Sequence, residues 1–262
     1  MRFIFSCGAQ IKPLLDVPLT AWLLGVGGLF GFHFFYFLAL RNAPALEANL
    51  INYLWPLLIV VFATFFGIDR AVASAPDSAV WPLAGAALGL AGTVLVLTNT
   101  NDMSSGNLSS GDFNFAASAW IGYAAALTSA LIWSSYSVLS RAFHQVPSSA
   151  VTGFSLATAI GATLCHMIFE ETIWPQTLLQ WLAIFGLGLG PVGAAFYLWN
   201  HAMKHGEMRL LGATSYCAPL LSSLLLVGLG VGALTGKLLL ACSLIMGGAL
   251  LAAKENLFPV RR

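Results

Sequence analysis

Two stretches of this sequence set a tyrosine and a proline in the same register. Asn49, Asn52, Tyr53 and Pro56 fall at i, i+3, i+4 and i+7, and Gly212, Ser215, Tyr216 and Pro219 repeat that spacing. Each set is one stripe on one helix face. A proline inside a helix removes one backbone hydrogen bond and blocks the carbonyl four residues earlier, which predicts freed carbonyls at Asn52 and Ser215. In an apolar surrounding such a group is costly, so it must face protein or a polar hollow. In a hollow it could accept a hydrogen bond from a substrate ammonium. The alternative is a packing kink, with Asn and Ser bonding between helices; recurrence of the pattern favours the hollow.

Further polar tips beside aromatic faces lie at i, i+3 spacing: His33 with Tyr36, Trp133 with Tyr136, and Tyr197 with Asn200. Tyr53, Trp55, Trp133 and Tyr216 sit well inside apolar stretches, where hydroxyl and indole groups need a partner. His33 is the one ring of its kind deep in such a stretch near this cluster, so a proton-relay role competes with a structural hydrogen bond. Glu47 follows Pro44 at a helix start, where a carboxylate suits the helix dipole. His166 lies beside Glu170 near a helix end, as an interfacial pair. No hydrolase, metalloprotease or P-loop signature is present. The four cysteines stand singly without metal-ligand spacing, so the sequence gives no catalytic residue, no metal and no cofactor.

The elements that must position these residues are membrane helices. Of 262 residues, 58% are hydrophobic and 8% charged, and the mean hydropathy is +0.84; soluble domains carry roughly a quarter charged residues. A net charge of +1 without any basic run excludes a nucleic-acid partner. Spanning a bilayer takes about 20 apolar residues, and eight stretches qualify: 19–40, 45–66, 80–98, 116–139, 149–169, 178–200, 210–231 and 235–253. Lys and Arg counted on alternate sides divide nine against two, with only Arg41 and Lys237 on the minor side. The positive-inside rule therefore predicts a multi-pass protein of a bacterial-type inner membrane with its C-terminus cytoplasmic. No Asp, Glu, Lys or Arg falls mid-span, which suggests a facilitator rather than an ion-coupled carrier.

An internal repeat organises the spans. Phe-Tyr near a helix end, a short charged turn and then Tyr-x-x-Pro-Leu-Leu occur from Phe35 to Leu58 and again from Phe196 to Leu221. The matching helices are an odd number of spans apart, so they cross in opposite senses, the arrangement of inverted-repeat transporters. The predicted organisation is an N-truncated first repeat over 1–98, a periplasmic joint at 99–115, a second repeat over 116–254 and a cytoplasmic tail at 255–262. On this reading one helix and most of a second would precede the eight complete spans.

The NYLWP of 52–56, the IWSSY of 132–136 and the long run GPVGAAFYLWNHAMKHGEMRLLGATSYCAPLLSSLLL of 190–226 resemble the EamA branch of the drug/metabolite transporter (DMT) superfamily, over about Leu19 to Lys254. The resemblance implies an all-α membrane protein of ten helices in two inverted five-helix repeats, a central cavity and cytoplasmic termini. By position, it places cavity-lining groups at His33, Tyr36, Trp55, Trp133 and Tyr216. The expected function is export of a small amphipathic metabolite, an aromatic or large neutral amino acid foremost, by alternating access within the lipid bilayer, with a monomer sufficient. Drug or other metabolite efflux, and a truncated non-transporting scaffold, are the competing expectations.

Overall fold

A computed structural model of the chain describes residues 17–65, 80–104, 119–228 and 235–252. The first sixteen residues, most of the joint, the C-terminal tail and the side chains of Glu47 and Pro219 lie outside that description. Among the described residues all regular secondary structure is helical. The N-terminal half holds α1 (Leu19–Asn42), α2 (Ala45–Asn52), α3 (Trp55–Phe65) and α4 (Val80–Ser104). The C-terminal half holds α5 (Trp120–Leu139), α6 (Ala150–Phe169), α7 (Leu178–Leu189), α8 (Ala195–His205), α9 (Met208–Thr214), α10 (Cys217–Gly228) and α11 (Gly236–Ala252).

Local sequence explains where these helices begin, break and end. Ala43, placed before Pro44, takes the extended conformation that a following proline imposes, so α1 stops there and α2 starts afresh. Thr177 and Gln180 close a reciprocal capping box at the head of α7. Two spans read as single helices are each divided in two by a turn at Tyr53–Leu54 and at Ser215–Tyr216, just ahead of Pro56 and Pro219, as the missing N–H requires. A third division was not anticipated: between α7 and α8 the backbone passes through a π turn at Gly190–Ala194, which contains Pro191. The helix still runs on continuously from Leu178 to His205. α4 extends to Ser104, into the stretch expected to be loop; hydropathy marks the membrane portion of a helix and is blind to a polar continuation.

By length and apolarity Leu19–Asn42, Ala150–Phe169 and Leu178–His205 can each cross a bilayer unbroken. No residue of α7 is buried; Leu178, Leu182 and Phe185 face outward, which suits a lipid surround. The most extensive packing joins α4 to α11, followed by α1 to α5. The α4–α11 contact is a seam of small residues in which Gly85 and Gly248 bring the two backbones together. A side chain at Gly92 would begin 2.9 Å from the Ala241 carbonyl oxygen. The divided helices meet where α3 packs on α9, with a Cβ at Gly212 reaching 2.8 Å from the Pro56 carbonyl oxygen.

Candidate functional site

The two breaks touch one another and do not bracket an open hollow. Tyr216 is fully buried, its ring set against Gly89, and its hydroxyl donates to the Tyr53 carbonyl at 3.0 Å. The carbonyl engaged across the repeats is thus one residue beyond Asn52. The expectation of a freed carbonyl at Ser215 is corrected: the Ala218 N–H donates to it at 3.1 Å in a tightened turn, and the Ser215 hydroxyl donates back to the Leu211 carbonyl at 2.6 Å. A chain interrupted by proline satisfies its polar groups by the shortest local bond where one can reach. Pro56 is buried within this contact.

Around the break the aromatic residues form one cluster centred on Trp133, which is only 6% exposed. Its ring centroid lies 5.1 Å from Phe32, 5.5 Å from Tyr136 and 5.5 Å from Phe196. Trp55 meets Trp133 edge-on at 6.3 Å and Trp199 edge-on at 5.4 Å. Tyr36 stacks on Phe32 and donates its hydroxyl to Asn49 Oδ1. Asn52 Oδ1 accepts from the Ser129 hydroxyl at 3.2 Å, which also reaches the Phe32 carbonyl at 3.0 Å. α1, α3, α5 and α8 therefore converge on one aromatic plug that includes Tyr36, Trp55, Trp133 and Tyr136 of the sequence-predicted set. Trp199, whose indole N–H donates to Ser137 Oγ at 2.9 Å, belongs to it as well and was missed.

On one side of this plug is a cavity of about 770 Å³ between α1, α6 and the start of α8. Its walls are apolar and aromatic, with Phe30, Phe34 and Phe37 on one stripe of α1 and Phe196 opposite. His33 and Phe196 line the cavity and are also in ring contact at 5.7 Å, so they join the cavity to the plug as its floor. His33 Nδ1 is bound to the Leu29 carbonyl at 2.7 Å, which fixes the ring in its own helix. Of the sequence-predicted residues only His33 lines this cavity.

The mouth of the cavity carries its charge. Arg41, at the end of α1, pairs with Glu170 just past α6. His166 Nδ1 bonds the other Glu170 oxygen at 2.7 Å, while its Nε2 meets the Thr172 hydroxyl at 2.9 Å. The hydrogen bond from His166, with the Arg41 guanidinium beside it, holds the Glu170 carboxyl below the usual carboxylate range. The sequence reading placed His166 next to Glu170 without Arg41, because that partner lies 129 residues away and no local pattern connects them.

On the other side of the plug the bundle is shut. Tyr136, Phe154, Asn200 and Lys204 surround a space of only about 10 Å³. Asn200 Nδ2 donates to the Tyr136 hydroxyl at 3.3 Å, and the buried Lys204 ammonium donates to the Val146 carbonyl at 2.8 Å. Tyr197 points away from this axis, bonded to Thr152 and the Ser149 carbonyl.

Comparison with known proteins accounts for this architecture. The EamA-like transporter family pattern matches residues 120–254. The aromatic amino acid exporter YddG of Ancylobacter novellus is 49% identical over 239 residues, covering 91% of this chain and 77% of its own. Proteins of the same description from Salmonella typhimurium and Escherichia coli are each 27% identical, over 71% and 81% of this chain and 59% and 68% of theirs. A solved crystal structure superposes with a TM-score of 0.81 at 47% identity, over 94% of this chain and 79% of that one. With apolar helices throughout its described residues, a family pattern reaching across its second half and a relative 49% identical over 91% of its length, the chain belongs to the EamA-like transporter family of the drug/metabolite transporter superfamily.

Proposed function

We propose that this protein exports aromatic amino acids from the cytoplasm by alternating access, the cavity above Trp133 being its outward-facing state. The carrying observation is the cavity itself: about 770 Å³, walled by phenylalanines, floored by His33 and Phe196, and charged only toward its mouth. Pockets of that size hold small organic molecules. Aromatic walls suit an aromatic ring, by stacking and edge contact. A likeness of 49% to an aromatic amino acid exporter supports the same substrate class.

The direction of opening follows from charge. Arg41 lies at the mouth, whereas Lys204 lines the small space on the shut side and Arg141 bonds the Gly206 carbonyl just beyond it, a charge asymmetry that supports a cytoplasmic shut side and C-terminus under the positive-inside rule. Transport then requires the plug of Trp55, Trp133, Tyr136 and Trp199 to part while the mouth closes. Asn52, Tyr53, Asn200, Ser215 and Tyr216 are the polar groups that such a rearrangement would expose to a passing headgroup. No acid lies mid-span, so flux would run down the substrate gradient as a uniport.

The test is efflux and counterflow of labelled tryptophan and phenylalanine from proteoliposomes holding the complete protein, with and without a proton-dissipating ionophore. Saturable flux, insensitive to the ionophore and inhibited by unlabelled aromatic amino acids, is expected. Flux of cationic drugs without amino acid flux would reassign the cavity to drug efflux, and absence of any flux would favour a non-transporting role.

A further inference from the structure

The charged groups at the cavity mouth are arranged as a complement to a dipolar headgroup. Arg41 and Glu170 stand on opposite walls, one ending α1 in the first repeat and the other following α6 in the second. Both line the cavity. Their side chains are 57% and 39% exposed, so the pair is bathed in water, where ion pairs are weak and readily exchanged. His166 holds Glu170 from behind and is itself held by Thr172, which fixes the carboxylate's position without occupying the guanidinium.

Below the pair, the α1 wall has the right reach. Phe37 precedes Arg41 by one turn and Phe34 by two, about 6 and 10 Å at the α-helical rise. An aromatic amino acid held at the pair by its headgroup is short enough to set its ring beside Phe37, and Phe34 continues the apolar surface below. On the facing wall Ser155 and Thr158 add hydroxyls to the apolar lining, and Thr158 Oγ1 is buried without a hydrogen-bond partner.

We infer that Arg41 and Glu170 form a headgroup subsite for a zwitterion: the guanidinium takes the substrate's carboxylate, the Glu170 carboxylate takes its ammonium, and the ring lies on Phe34 and Phe37. Two ion pairs then replace one, with no unmatched charge. An amine or an acid of the same ring would satisfy one partner and strand the other, which is how a polar site rejects a truncated analogue. His166 is a positioning residue for Glu170. The subsite rests on the proposed function and specifies how its substrate is recognised.

The experiment measures phenylalanine flux in proteoliposomes, competed by phenethylamine, which lacks the carboxylate, and by 3-phenylpropionate, which lacks the ammonium. Wild-type protein is expected to prefer phenylalanine over both by at least about tenfold, the scale of one lost charged contact. Arg41→Gln should raise the KM for phenylalanine about tenfold and abolish its advantage over phenethylamine. Glu170→Gln should do the mirror image, abolishing the advantage over 3-phenylpropionate; either variant that inserts and elutes as wild type suffices. Loss of phenylalanine flux in parallel with both analogues, or unchanged selectivity in both variants, overturns the subsite while leaving amino acid export intact. Absence of phenylalanine and tryptophan flux in the wild type overturns the proposed function and the subsite together.

Discussion

The two ends of the transport axis are built from the same helices and finished in opposite ways. At the mouth, α1 and α6 stand apart around about 770 Å³; past Trp133 the same two helices leave about 10 Å³. The composition of α1 explains the contrast. Gly25 and Gly28 come first along it, and Phe30, Phe34 and Phe37 follow toward the mouth. At Gly25 the Phe154 ring occupies the place of a side chain, and at Gly28 a Cβ would begin 2.5 Å from the Tyr136 ring. Glycines let the rings of α5 and α6 press onto the helix, while the phenylalanines farther along line the cavity. One helix thus carries both the seal and a cavity wall.

Removing the partition between the ends should have the largest effect. Trp133→Ala deletes the hub of the aromatic plug, at a cost of about 3–5 kcal/mol for an aromatic-to-alanine change in a packed core. A large drop in melting temperature in detergent is expected, together with loss of aromatic amino acid flux. A variant as stable as wild type would mean that the cluster is not what divides the two ends.

A smaller effect should follow from placing a side chain in the seal. Gly28→Val forces α1 away from Tyr136 and should cost about 1–3 kcal/mol through overpacking. Gly27→Val, whose Cβ meets nothing within 4 Å, should be near neutral. Equal melting temperatures for the two would show that the Tyr136 ring does not hold α1 at Gly28.

At the mouth the smallest effect is expected, and its sign is set by Glu170. His166 first, and Arg41 with it, hold that carboxyl below its ordinary range. The contribution is therefore full at pH values above the usual carboxylate range and fades as pH falls through the depressed value. Spin labels placed near the ends of α1 and α6 should report one constant separation from neutral pH down into the mildly acidic range. Their separation should widen only in stronger acid. Widening already near neutrality would contradict the linkage.

Much of this was legible in the sequence, for identifiable reasons. Hydropathy located the spans because apolar length is the membrane's own criterion, and Tyr-x-x-Pro located both helix breaks because a missing N–H acts locally. Trp133, Tyr136, Tyr36 and Trp55, singled out as aromatic positions inside apolar stretches, lie in one cluster. The cavity was not legible: its walls come from α1, α6 and α8, and only packing shows that their phenylalanines share a space. Arg41 and Glu170 were separated by too many residues to be paired by pattern. The two breaks also differ by one residue in register. Tyr216 is buried and spends its hydroxyl on the other repeat, an asymmetry that a shared motif conceals.

The glycine contact between α4 and α11 has a mechanical consequence. Where Gly85 meets Gly248 backbone lies on backbone, with few side chains between to reshuffle, so these two helices serve as the keel of the molecule. Whatever swings to carry cargo across must then be hung from that keel on the far flank, where α1, α6 and α8 meet over an empty space.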